Sequence, residues 1–99
     1  MIVQRLTFHV KVGCMQQVVD LVKAEGAKLE NPPKWRAYTP RFTGVGDVFV
    51  EELEFENLTQ LEEHWDAWFA RPDNPEFFQK FHQLIEPGTA NEIWDLVSV

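Results

Sequence analysis

Apolar residues along this chain change their period several times, and the order of those changes limits the folds open to it. From residue 2 to 12 they alternate. Leu6, Phe8, Val10 and Val12 fall on one side and Arg5, Thr7, His9 and Lys11 on the other, the pattern of a half-buried strand. At Gly13 the spacing lengthens, and Met15, Val18, Val19 and Val22 recur as on a helix over 14–25, with Gly26 as a stop. Glu30-Asn31-Pro32-Pro33 is turn chemistry, and Trp35 to Phe42 reads as a short second strand that Pro40 places at an edge or bends. Thr43 to Asp47 connects it to a third strand, Val48 to Glu56, with Phe49, Leu53 and Phe55 on one side and Val50, Glu52 and Glu54 on the other.

Asn57 or Thr59 can cap the next helix, the latter with Glu62 completing a capping box, and Leu58, Leu61, Trp65, Trp68 and Phe69 form its apolar stripe. The helix breaks near Arg71-Pro72. It restarts with Asn74 as cap and Pro75 at the first helical position, carrying Phe77, Phe78, Phe81, Leu84 and Ile85 until Pro87-Gly88. Asn91 to Val99 alternates again as a fourth strand, with Trp94 and Leu96 on one side and Ile93, Asp95 and Val97 on the other. The order βαββ(αα)β predicts an α+β, ferredoxin-like domain over residues 1–99, a four-stranded antiparallel sheet with its helices on one face. The other face would leave Val3, Val50, Ile93 and Val97 in water, so two copies are expected to pack these faces into a dimeric α/β barrel.

Charge narrows the partners. A formal net charge of −7 repels phosphate backbones and anionic lipid, so neither nucleic acid nor membrane is an expected partner. No run approaches a membrane span and the first residues lack the pattern of a signal peptide, so the expected setting is the cytoplasm. The single cysteine, Cys14, excludes an internal disulfide and is expected to be an inert thiol.

The stretch from Phe55-Glu56-Asn57-Leu58 through Trp65, then Asn74-Pro75-Glu76-Phe77, then Ile93-Trp94, resembles the second half of NIPSNAP-like and antibiotic-biosynthesis-monooxygenase-like dimeric α/β-barrel proteins. Phe8-His9-Val10-Lys11-Val12-Gly13, leading straight into a helix, is similar to their first strand and turn. The resemblance covers nearly the whole chain and implies the barrel architecture; it implies no single reaction, because the superfamily holds oxygenases, heme-degrading enzymes, isomerases and members without assigned activity. The heme-degrading relatives use a first-strand asparagine with a tryptophan and a histidine ten residues apart. Here the first strand has Gln4 and His9 but no Asn, and Pro75 and Phe78 stand ten residues after Trp65 and Trp68. No cofactor is expected.

Two groups of residues are candidates for chemistry. On the sheet side away from the helices, Arg5, Thr7, His9, Glu52, Glu54 and Asp95 would converge inside a barrel, with His9 as a general base oriented by carboxylates and Arg5 holding an anionic substrate. The reading preferred for the same residues is that they form inter-strand and inter-subunit ion pairs lining a partly wet interface. On the helices, Trp65, Trp68, Phe69, Phe77, Phe78 and Phe81, with His64 and His82 between them, could form an aromatic pocket, but their helical spacing is that of a core stripe. Trp35, Tyr38, Trp65, Trp68 and His82 are the candidates for contact with a ligand. The three histidines lie on different elements, Glu62-Glu63-His64 lacks a second histidine, and no metal site is expected. Gly44-Val45-Gly46 joins two strands and is no phosphate loop, and Ser98 sits in no nucleophile elbow. Two functions are thus open: a dimeric domain that binds a small apolar or aromatic molecule or is non-catalytic, and a cofactor-independent monooxygenase or isomerase acting on an aromatic or polyketide-like substrate. A register slip of one residue would exchange the two sides of any strand.

Overall fold

The computed structural model describes residues 1–99. Its elements are β1 (Ile2–Val10), α1 (Met15–Gly26), β2 (Lys34–Tyr38), β3 (Val48–Phe55), α2 (Leu58–Phe69), α3 (Asn74–His82) and β4 (Ile85–Asp95). The strands form one antiparallel sheet in the order β2-β3-β1-β4, the ferredoxin-like α+β arrangement expected from the periodicities.

Local chemistry sets most of the boundaries. Gly13, at φ +80°, makes the turn that ends β1, a conformation few side chains adopt. β2 stops at Tyr38, short of the expected Phe42, because Pro40 has no N–H to give a ladder and the strand is an edge. Asn57 is the cap of α2: its Oδ1 accepts from the Gln60 backbone N–H at 2.9 Å, while the Gln60 side chain reaches back to accept from the Glu56 N–H. Thr59 and Glu62 are therefore not the capping pair. In α3 the cap position falls to Asp73, one residue before the expected Asn74, and Asn74 instead donates from its side chain to the Trp68 carbonyl, tying the end of α2 to the start of α3.

β4 departs furthest from expectation. It begins at Ile85, immediately after α3, and absorbs Pro87-Gly88 in a bulge where its pairing with β1 shifts: Thr7 faces Ala90 but His9 faces Glu86. An edge strand tolerates the missing N–H of Pro87, and Gly88 takes φ +104°. Below the bulge Arg5 pairs with Glu92, Val3 with Trp94, Gln4 with Ile93 and Ile2 with Asp95. Glu92 and Trp94 thus take the face away from the helices. Ile93 and Asp95 share the helix-side parity, the reverse of the expected assignment, and Val97 lies beyond the strand. Val3 is already 8 % exposed in the single chain, so it is no part of an open apolar face.

The packed core sits at one end of the sheet. Val10 and Phe49 meet Val18 and Val22 of α1 and Phe77 and Phe81 of α3, with Phe8 edge-on to Phe81 at 4.9 Å between ring centres. At the opposite end α2 has no fully buried residue; it leans over the sheet and leaves a space beneath. No helix is long and apolar enough to cross a membrane.

Candidate ligand cavity

That space is a cavity of about 560 Å³ between the sheet and the helices. Its floor is made by the helix-side residues of the strands, among them Gln4, Leu6, Leu53 and Ile93, and its walls by Trp35, Trp65, Trp68, Phe69 and Phe78. Ile93 is 52 % exposed and the neighbouring Thr89 and Asn91 are exposed as well, so the cavity opens along β4. Away from β4 its lining runs through buried residues of β3.

There stands Glu51, 7 % exposed and lining the cavity, with neither a hydrogen-bond partner nor an ion pair within the chain. Removal from water raises its carboxyl from the ordinary value to about 7, with no neighbouring charge contributing. Leu6 lies opposite Glu51 on one side and opposite Asn91 on the other. Two strand spacings, about 10 Å, therefore separate the backbone of Glu51 from that of Asn91 on β4.

The other polar groups of the cavity are occupied. The Trp65 indole N–H donates to Gln4 Oε1 at 2.7 Å, and Gln4 Nε2 donates to Asn91 Oδ1 at 3.1 Å, a relay that links α2 through β1 to β4. Glu25, 5 % exposed, accepts from the Trp68 indole at 3.1 Å and lies 3.2 Å from both Lys28 Nζ and Arg71 Nη1. Arg71 and Lys28 in turn grip Asp73 at 2.7 and 2.8 Å, and the hydrogen bonds from Lys28 and Arg71 lower its carboxyl to about 2. His64 is half-buried between the rings of Phe55 and Trp65, and burial lowers its pKa. Trp35 packs its ring against α1 and finds no acceptor for its indole N–H.

The residues singled out in the sequence divide between the two faces of the sheet. Trp35, Trp65, Trp68 and His82 line the cavity. Arg5, Thr7, His9, Glu52, Glu54 and Tyr38 lie on the other face, where strand parity puts them. On that face Arg5 is 3.8 Å from Glu52, Arg36 is 3.6 Å from Glu52 and 3.5 Å from Glu54, Lys34 is 3.6 Å from Glu54, and the Tyr38 hydroxyl donates to Glu52 at 2.9 Å. The carboxylates expected to flank a base are thus engaged in an inter-strand ionic lattice. His9 is exposed beside Gly88 and does not line the cavity. Asp95, opposite Ile2, joins neither group.

Glu51 and Gln4 are the residues that the sequence reading passed over. Both stand on an apolar side of their strands, Glu51 in the alternation Phe49, Glu51, Leu53, Phe55 and Gln4 in Gln4, Leu6, Phe8, Val10. A lone polar residue in an inward-facing alternation is the signal that marks them.

A ferredoxin-like α+β sheet whose helices stand off one end to enclose an aromatic cavity is the class that the fold and site define. No family model matches the chain, and no curated protein matches it in sequence. Solved structures do. The chain superposes on an uncharacterized NIPSNAP domain protein from Burkholderia xenovorans with a TM-score of 0.82 and 16% identity, over 100% of this chain and 95% of that one. A NIPSNAP family protein from Agrobacterium tumefaciens gives 0.76 and 19%, over 97% and 92%. A structure described as an antibiotic biosynthesis monooxygenase gives 0.68 and 16%, over 99% and 100%. The fold is therefore that of the NIPSNAP and antibiotic-biosynthesis-monooxygenase-like domains, as the sequence resemblance implied.

Proposed function

We propose that this protein is a homodimeric, cytoplasmic single-domain binder of a small apolar or aromatic molecule, held in the cavity between the sheet and α2 and α3. One observation carries the reading: while Phe77 and Phe81 of α3 pack on the sheet, Trp65, Trp68, Phe69 and Phe78 line a space of about 560 Å³ around an unpartnered carboxyl. Ligand sites of this size, mostly apolar with a few convergent polar groups, are the usual form of small-molecule pockets. The open face of the sheet supports the dimer, since Trp94 there is 54 % exposed and an ionic lattice lies beside it.

Tryptophan fluorescence tests the binding reading, because three of the four tryptophans line the cavity. Planar aromatic compounds are expected to quench it saturably, and Leu6→Phe, which fills the floor, is expected to weaken binding by about tenfold or more, equivalent to about 1.4 kcal/mol. Saturable quenching that Leu6→Phe leaves unchanged would place the ligand elsewhere. A second reading, a cofactor-independent monooxygenase or isomerase, is favoured by Glu51 alone, whose raised pKa near 7 suits a general base working at neutrality. Turnover lost in Glu51→Gln with binding retained would select that reading.

A further inference from the structure

We infer that the cavity is built for a planar organic cation, a quaternised or protonated nitrogen heterocycle whose positive centre meets the Glu51 carboxylate while its rings lie among the indoles. The inference rests on the cavity being the ligand site and adds the charge of its occupant.

The only groups facing that space that can carry negative charge are two carboxyls, and no fixed positive charge opposes them. From β3 comes Glu51; from α1 comes Glu25, already held by Trp68, Lys28 and Arg71; from α2 and α3 come His64 and His82. β1, β2 and β4 add Gln4, Trp35, Thr89 and Asn91 among their polar side chains, none of them charged. No lysine or arginine lines the cavity, so an anionic ligand would find a counter-charge only by protonating His64 or His82, and burial lowers the pKa of His64. An ionised carboxyl this deep is costly without a partner, and Glu51 has none within the chain. A cation supplied by the ligand removes that cost.

The walls suit the same charge. The π-faces of Trp65 and Trp68 and the rings of Phe69 and Phe78 attract positive charge through their quadrupoles, an effect that strengthens when water is excluded. Trp65 and Trp68 stand edge to face at 5.2 Å between ring centres, and the Trp65 to Gln4 hydrogen bond holds the first of them in place. A net charge of −7 over the whole chain favours the approach of a cation and opposes that of an anion. Binding also couples to protons: the empty carboxyl, raised to about 7, is protonated below neutrality and must ionise when the cation arrives.

The experiment uses three bicyclic probes on the whole protein, followed by calorimetry: N-methylquinolinium, its neutral isostere 1-methylnaphthalene, and the anion 1-naphthoate. The cation is expected to bind about tenfold or more tighter than the neutral isostere, and naphthoate weakest. Glu51→Gln is expected to abolish that preference while leaving 1-methylnaphthalene unaffected. Glu76→Gln, an equal loss of charge on the exposed face of α3, is expected to leave it intact, which separates the site from general attraction to an acidic protein. Near pH 6, measured in buffers of different ionisation heat, cation binding is expected to release close to one proton and the neutral isostere none; about pH 6 is where the empty carboxyl is protonated. Equal binding of cation and isostere, or a preference that survives Glu51→Gln, would overturn the inference and leave the cavity reading standing. If none of the three binds, both fall.

Discussion

At the scale of single residues, Glu51 is where stability and function pull against each other. Its carboxyl is neutral more readily in the folded chain, at about 7, than at the ordinary value of 4.5, so the folded state holds the extra proton between those values. Stability therefore falls as pH rises from about 4.5 to about 7 and is level above, the opposite sign to a salt-bridged carboxylate. Glu51→Gln has no such proton to lose. Denaturant unfolding is expected to show the variant gaining about 3 kcal/mol on the parent chain between about pH 4.5 and about pH 8. A gap that stays constant with pH would mean that Glu51 ionises freely in the folded protein. The Gln4 relay makes the complementary case, for Gln4→Leu is nearly isosteric but leaves the Trp65 indole without its acceptor. Loss of about 1–3 kcal/mol is expected in the same unfolding measurement, with a loss well below 1 kcal/mol showing that water takes the place of the amide. Both residues could be singled out in the sequence as polar intruders on an apolar side. Which of them has a partner could not, because that depends on what α2 and β4 bring across from positions dozens of residues away.

At the scale of elements, close approach explains what turn chemistry alone does not. Gly26 was legible as the stop of α1, yet its φ is ordinary and the reason for glycine lies in β2: a Cβ there would stand 2.8 Å from Cζ3 of the Trp35 ring. Gly26→Ala is expected to push Trp35 from the cavity wall and to cost about 1–3 kcal/mol, read from thermal unfolding together with a changed tryptophan emission. An unchanged melting temperature would show that the ring yields freely. β4 shows the same limit from the other direction. Pro87-Gly88 was expected to stop the helix, but α3 already ends at His82 and the dipeptide lies inside β4. Whether the dipeptide then forms a loop or a bulge depends on β1 lying alongside to pair with Glu86 on one side and Ala90 on the other. The bulge shifts the pairing, and that shift sends Ile93 and Asp95 to the helix side and Glu92 and Trp94 to the open one.

At the scale of the molecule, the small core asks for a second copy. Only 14 of 99 residues are buried, while Met1, Trp94, Leu96 and Val97 are each more than half exposed around the paired ends of β1 and β4. Light scattering is expected to give twice the 11.6 kDa chain mass, and Trp94→Glu to return the protein to a monomer. A monomeric parent chain would remove the barrel and leave the cavity as a property of one subunit.

The amino-acid sequence by itself determined the kinds of element, their order and the ferredoxin-like class, because side-chain period, caps and turn residues act over a few neighbours. Most side-chain faces of β1 and β3 followed for the same reason. Tertiary structure alone decided three things: the register of β4, the ion pairing that occupies the open-face carboxylates, and the standing-off of α2 that turns an aromatic stripe into a cavity wall. Each depends on the distance and register between elements far apart in the chain, which local periodicity does not encode. Glu51 belongs to both accounts. Its parity was written in β3, and its isolation was created only when the helices closed over it without supplying a partner.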